Sequence, residues 1–286
     1  MSVFRNNIVD KSSYAILYIS FGLILFMLIA ITIIITKNSM GTLSFNFIFD
    51  YPRNGMTEGG IFPIILGTCL VTLLSAIASI PIGIAGAIYL NEYAKESLYT
   101  KIIKLSIRNL AAVPSIVYGL FGLAIFVKTL RFGTSVFSAG LTLGLLTLPT
   151  IISVSQEALK NVPDSYRSGA LALGLTKWQT LRTNVIPVAI PGIITGIILG
   201  ISRALGETAP ILFTGAAFFL PKVSLNIFDQ FMALPYHLYI MSTQHHDIEG
   251  VRGIAYATAA VLVIITVLLN IVASTIRFKY RNTHKN

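Results

Sequence analysis

The sequence predicts an all-α integral membrane protein with six transmembrane helices. Three observations lead there: a composition too apolar for water, six apolar stretches of bilayer-spanning length, and a lopsided distribution of Lys and Arg between the loops. Hydrophobic residues are 55% of the 286 and charged residues only 11%, with a mean hydropathy of +0.79. A water-soluble core of this length needs far more polar surface.

The stretches are residues 14–36, 61–89, 110–127, 138–155, 188–212 and 254–276. At about 1.5 Å per residue, some 20 residues cross a hydrocarbon layer roughly 30 Å thick. Backbone groups in lipid need internal partners, so each stretch is read as a helix. The first is longer than a signal-peptide core, and Thr36-Lys37-Asn38 offers no small-residue cleavage pattern, so it reads as a retained anchor.

Net charge is +10 and the pI is near 9.7, values that in a soluble protein would point to nucleic acid. Here the basic residues sit in short segments between apolar runs, so they report topology and no nucleic-acid partner is expected. Of the 21 Lys and Arg, 14 lie in the N-terminal tail, the loops after the second and fourth spans, and the C-terminal tail; six lie on the other side, and Arg203 lies inside the fifth span. Both termini are therefore predicted in the cytoplasm, with an even number of crossings. Cys69 is the single cysteine. It excludes an intramolecular disulfide and a thiolate zinc cluster, and reads as a small buried hydrophobe.

Two extracytoplasmic loops, residues 37–60 and 213–253, exceed short turns. The second holds an apolar stretch from Ile227 to Leu234 between Pro221 and Pro235, too short to span and so expected to be re-entrant or interfacial. His237, beside Tyr236 and Tyr239, reads as an interfacial anchor. His245-His246-Asp247-Ile248-Glu249 lacks the helical spacing of a metal site and reads as a solvated loop, so no metal is expected.

Chemistry concentrates in two places. The fifth span carries Arg203 and Glu207 four residues apart, predicted on one helix face, with Gly206 and Pro210 loosening the helix nearby. Ionised groups within a span are costly and usually face a cavity or pathway. A guanidinium offers paired charged donors to a tetrahedral oxyanion, and Glu207 would orient it. A buried ion pair that only fixes helix packing is the alternative.

The other place is the cytoplasmic loop from Gln156 to Thr180. Pro163 and Asp164 are expected to start one short helix, and Gly174 and Thr176 to interrupt and recap a second. Small residues Gly169 and Ala170 would admit a close partner, and Trp178 would supply an aromatic anchor. Gly169 and Gly174 do not form a nucleotide-binding loop, because Leu175-Thr176 stands where Lys-Ser/Thr is required.

These segments carry a family resemblance. Ser168-Gly169-Ala170, then Gly174, then Ile186-Pro187 resembles the coupling motif of ABC-importer permeases, with Ser168 and Gly169 in place of the usual Glu and Ala and Ile186 in place of Leu. The string from Arg203 to Pro210 is similar to the equivalent span of phosphate-specific ABC permeases. So are Gly59-Gly60-Ile61-Phe62-Pro63, Ile80-Pro81-Ile82-Gly83 leading to Tyr89-Leu90-Asn91-Glu92-Tyr93, and the run from Asn109 to Gly122.

The resemblance, from about Gly59 to Ile276, implies a type I ABC-importer permease fold in a bacterial cytoplasmic membrane. It implies a tail, first helix and loop over 1–60, a permease domain over 61–276 with a coupling loop at 157–187, and a basic tail over 277–286. It places Arg203, Glu207 and Thr208 in a phosphate pathway, and Ser168, Gly169, Ala170, Gly174, Leu175, Trp178 and Pro187 in ATPase coupling. The implied partners are a sibling permease forming a heterodimer, two ATPase subunits that carry ATP and Mg²⁺, and an extracytoplasmic phosphate-binding protein docked on the two large loops. This chain itself would be no enzyme and bind no cofactor; it looks most like the second of two related permeases. Arginine chemistry alone leaves sulfate or molybdate open as substrates. An ion-coupled secondary transporter is a further alternative, against which stand the docking loop and the lack of an inverted repeat.

Overall fold

The computed structural model describes residues 2–220 and 224–283; Pro221 and two of the 21 Lys and Arg, Lys222 and Lys285, lie outside the described residues. In chain order the elements are α1 (Ser2–Ser39), α2 (Phe45–Phe49), β1 (Pro52–Arg53), β2 (Glu58–Gly59), α3 (Phe62–Ile88), α4 (Leu98–Ala111), α5 (Ser115–Gly122), α6 (Val136–Lys160), α7 (Asp164–Ala172), α8 (Lys177–Thr180), α9 (Ile186–Gly206), α10 (Ala209–Thr214), α11 (Leu234–Thr243) and α12 (Arg252–Thr283). Wider π turns continue α3 over Tyr89–Tyr93, continue α5 over Leu123–Thr129, and lead into α9 over Leu181–Val185.

Among the described residues five helices are long and apolar enough to cross a membrane, and a sixth crossing forms if α4 and α5, bent by 102°, are taken together. The bend corrects the expected single helix over 110–127, which the structure divides between the end of α4 and α5. Leu110 and Ala111 end α4, and Pro114 caps α5 in an extended conformation (φ −57°, ψ 140°). Proline disfavours helical geometry in the residue before it and removes an N–H, so the chain turns there. Amphipathic α4 buries no residue completely.

Small residues let the central helices touch. On α9, Gly192, Gly196 and Gly200 recur every fourth residue and face Ala158, Val154 and Ile151 of α6; a Cβ on Gly200 would lie 2.8 Å from the Ile151 Cγ1. From the other side, a Cβ on Gly83 of α3 would lie 2.7 Å from the Ile151 Cγ2. Ile151, fully buried, therefore wedges between two glycines.

Ser202 donates to the Asn270 Oδ1 at 2.8 Å and Arg277 to the Thr195 Oγ1 at 3.4 Å, so α12 runs antiparallel to α9 and returns toward the α7–α8 end. Cys69, expected to be buried, is exposed on α3. Its flank has no cover among the described residues.

At the opposite end the two large loops fold onto one another. Phe47, Met56 and Ile61 share a core with Met232, Leu234, Ile240 and Val251. The segment from Ile227 to Ala233 forms a turn and an isolated bridge ahead of α11, which begins at Leu234, and its carbonyls serve the start of α6: Val136 N–H donates to the Asp229 carbonyl at 3.0 Å and Phe137 N–H to the Ile227 carbonyl at 2.8 Å. Helix N-termini leave such donors without intrahelical partners, which explains why this apolar segment forms no helix of its own.

The interfacial expectation for His237 is corrected here, and the solvated-loop expectation is corrected at His245 alone, since His246 to Glu249 are exposed. His237 is buried, with its Nδ1 3.3 Å from the Thr258 Oγ1. His245 is also buried and joins the loops through the Gly55 carbonyl at 3.1 Å. Burial pushes the His237 imidazole down to about 4, helped by His245. Among the described residues no cluster could hold a metal ion.

Candidate functional site

The fifth span is broken where its charges lie. Glu207 is extended (φ −79°, ψ 126°) and ends α9; α10 restarts at Ala209 with Pro210 in its first turn, where the missing N–H costs nothing. Arg203 and Glu207 were expected on one continuous helix face, and the break takes Glu207 out of the helix. Its carboxylate nevertheless turns back to accept from the Arg203 Nε at 3.2 Å. The Arg203 side chain stays 35% exposed and that of Glu207 18%. Among the described residues, the two terminal nitrogens of Arg203 have no protein acceptor. Half-buried Thr208 follows, its carbonyl accepting from the Leu212 N–H at 3.1 Å.

Helix α5 seals this break from one side. A Cβ on Gly119 would come within 2.9 Å of the Ala209 carbonyl, so only glycine permits the approach. Buried Tyr118 of the same helix donates to the Leu110 carbonyl at 2.9 Å. The α4–α5 bend and the α9–α10 break are thereby joined.

The loop at the other end has the two short helices foreseen. Pro163 precedes α7, Gly174 takes a left-handed φ of +82°, and Thr176 forms a capping box with Gln179 at the start of α8. Gly169 is exposed with nothing within 4 Å of an added Cβ. Ala170, expected beside it at the surface, points inward at 7% exposure, because successive helical residues face different directions. Ser168 is exposed and its hydroxyl bonds to the Asp164 carbonyl at 3.1 Å. Leu173 and Trp178 are exposed at 82% and 56%, Leu175 and Pro187 are half-buried, and Gly174 is exposed. Two large apolar side chains are thus held out on a short loop.

Residues 79–281 match the family described as binding-protein-dependent transport system inner membrane component. The chain belongs to this family. Its similar relatives include a probable ABC transporter permease protein, YqgI, of Bacillus subtilis, 32% identical over 94% of this chain and 95% of that protein. The phosphate transport system permease protein PstA 1 of Mycobacterium tuberculosis is 35% identical over 77% of this chain and 70% of its own length. Among solved structures, a bacterial alginate ABC transporter bound to its alginate-loaded periplasmic protein superposes with a TM-score of 0.69 at 14% identity, covering 95% of this chain and 96% of that one. The MetNI methionine ABC transporter gives 0.61 at 16% identity over 76% and 94%. These likenesses establish the importer-permease fold.

Within this family member the structure adds two residues that sequence reasoning did not single out as a pair. Arg167 of α7 reaches Glu92 in the turn ending α3, with Nη2 2.7 Å from Oε1 and Nε 3.3 Å from Oε2. The same guanidinium donates to the carbonyls of Leu159 and Val162, each at 2.8 Å, and to the Asp164 Oδ1 at 3.4 Å. The hydrogen bond to Glu92 is the main reason the guanidinium is held above its ordinary pKa. Beside it the Lys177 Nζ sits 5.0 Å over the Tyr93 ring. Glu92 and Arg167 are 75 residues apart, so no local spacing announces them.

Proposed function

We propose that this chain is the membrane-spanning permease subunit of an ATP-driven phosphate importer, forming the pathway with a sibling permease. One observation carries the proposal: an arginine inside a span, oriented through Nε by Glu207, keeps its two terminal nitrogens without a protein acceptor among the described residues, at a helix break. A tetrahedral oxyanion fits that fork, and the neighbouring carboxylate moderates the field so that the ion is released. Thr208 adds a hydroxyl at the same break. Phosphate is the oxyanion favoured because relatives named for phosphate transport match this chain, among them the PstA proteins and a PstC permease of Pasteurella multocida, 34% identical.

Two separate ATPase subunits, holding ATP and Mg²⁺, dock on the α7–α8 loop through Gly169, Gly174 and Trp178, with Ser168, Ala170, Leu175 and Pro187 shaping it. An extracytoplasmic phosphate-binding protein docks on the paired large loops. Both termini lie in the cytoplasm, a reading supported by the return of α12 toward the α7–α8 end. Closure of the ATPases then moves the permeases between outward and inward openings, and phosphate passes Arg203. This chain hydrolyses nothing.

The test is purification of the complex from native membranes, followed by reconstitution with the binding protein and ATP. Copurified sibling and ATPase subunits with ATP-dependent phosphate uptake are expected. Sulfate or molybdate uptake without phosphate uptake would overturn the substrate. Uptake without any ATPase would overturn the class.

A further inference from the structure

We infer that Arg167 and Glu92 are positioning residues that make the docking helix and the α3–α6 core move as one lever, a role that rests on the permease reading above. Of the nine residues of α7, only Ala170 is buried. Apolar packing therefore cannot hold this helix rigidly against the bundle. Its connections are short and pliant: Asn161 to Pro163 on one side, and on the other a segment containing Gly174 at φ +82°. Force arriving at α7 would be lost in these joints unless a stiffer link crossed them.

Arg167 is that link. A guanidinium has five N–H donors in a fixed plane, and here each has an acceptor: two on Glu92, one each on the Leu159 and Val162 carbonyls, one on Asp164. The carbonyls belong to the last turn of α6 and the residues just past it; Glu92 belongs to the turn that ends α3. One side chain thus clamps α7 to both core helices. The pair is well shielded, at 20% and 10% side-chain exposure, where ion pairs are screened less than at the surface. Asn91 donates to the Glu92 Oε1 at 2.8 Å, fixing the carboxylate from behind. Lys177 over Tyr93 holds α8 to the same turn, so both pieces of the loop are fastened to the end of α3.

Lysine cannot reproduce a five-point planar clamp, and glutamine at position 92 keeps an acceptor but loses the charge. The deciding measurement is phosphate transported per ATP hydrolysed, in proteoliposomes holding the whole importer with its binding protein. For Glu92→Gln and Arg167→Lys the complex should assemble and hydrolyse ATP within about twofold of wild type. Phosphate moved per ATP should fall about tenfold, inside the range of coupling between distant sites. The double variant should be no worse than either single one, because both remove the same link. A wild-type transport ratio in both single variants, or uptake lost only in proportion to lost assembly, would overturn the lever. A wild-type complex that hydrolyses ATP but imports no phosphate would instead overturn the permease reading itself.

Discussion

Neighbouring residues Gly169 and Ala170 should respond in opposite ways to the same insertion. Gly169 is exposed with nothing within 4 Å of its would-be Cβ, so Gly169→Trp meets no part of its own chain. Its cost to the fold should stay within about 0.5 kcal/mol, as for ordinary surface changes, and the loss of a helical glycine offsets part of that. Ala170 is 7% exposed; Ala170→Trp forces an indole into occupied space and should cost roughly 1–3 kcal/mol or more. At the docking surface the order reverses. A bulky ring at Gly169 projects where the ATPase must approach and should remove on the order of 2 kcal/mol or more of binding, about a thirtyfold loss at about 1.4 kcal/mol per factor of ten. The assay is affinity purification of the permease pair, with densitometry of copurified ATPase and thermal unfolding of the same sample. Expected for Gly169→Trp is wild-type thermal stability with little ATPase recovered. Normal ATPase recovery would refute the docking assignment, and collapse of the permease would show that the loop packs beneath its own bundle.

Other consequences follow from the same geometry. Glu207→Gln retains an acceptor for Arg203 and should reduce phosphate uptake less than Arg203→Lys, which loses the planar fork; equal loss matched by lost assembly would make the pair merely structural. Gly200→Val should destabilise the bundle by about 1–3 kcal/mol through collision with Ile151, and Ile151→Ala in the same chain should recover part of it, as read by thermal unfolding in detergent. His237 is neutral in the folded protein, with a pKa of about 4 against 6.5 unfolded. The unfolded chain therefore binds the proton that the folded one refuses. Stability should be complete above about pH 6.5 and fall toward pH 4, by at most roughly 3 kcal/mol. His237→Gln should flatten that dependence in unfolding scans between pH 7.5 and 4.5; an unchanged slope would place the titration elsewhere.

What the sequence discloses depends on whether the physics is local. The apolar runs are visible because lipid demands a long unbroken stretch, and Thr176 with Gln179 because a capping box lies within one turn. Breaks inside spans are half visible: Gly206 and Pro210 announce trouble, but whether Glu207 stays helical depends on α5 pressing Gly119 against Ala209. The bend at Pro114 is hidden within the stretch 110–127 because apolar residues continue on both sides of it. Ala170 was misplaced because one helical step rotates a side chain by about 100°, and the direction of the core is a tertiary fact. His237, His245 and the Arg167–Glu92 clamp were hidden for a common reason: each finds its partner across a fold that joins distant residues.

Uptake of radiolabelled phosphate by the reconstituted importer carrying Arg203→Ala tests the pathway most directly. Six helices and their glycine contacts do not depend on that guanidinium, so the variant should insert, assemble with its sibling and ATPases, and still hydrolyse ATP. Phosphate uptake should be abolished, while the wild type imports phosphate in the presence of excess sulfate. Phosphate uptake at the wild-type rate by assembled Arg203→Ala would contradict the account.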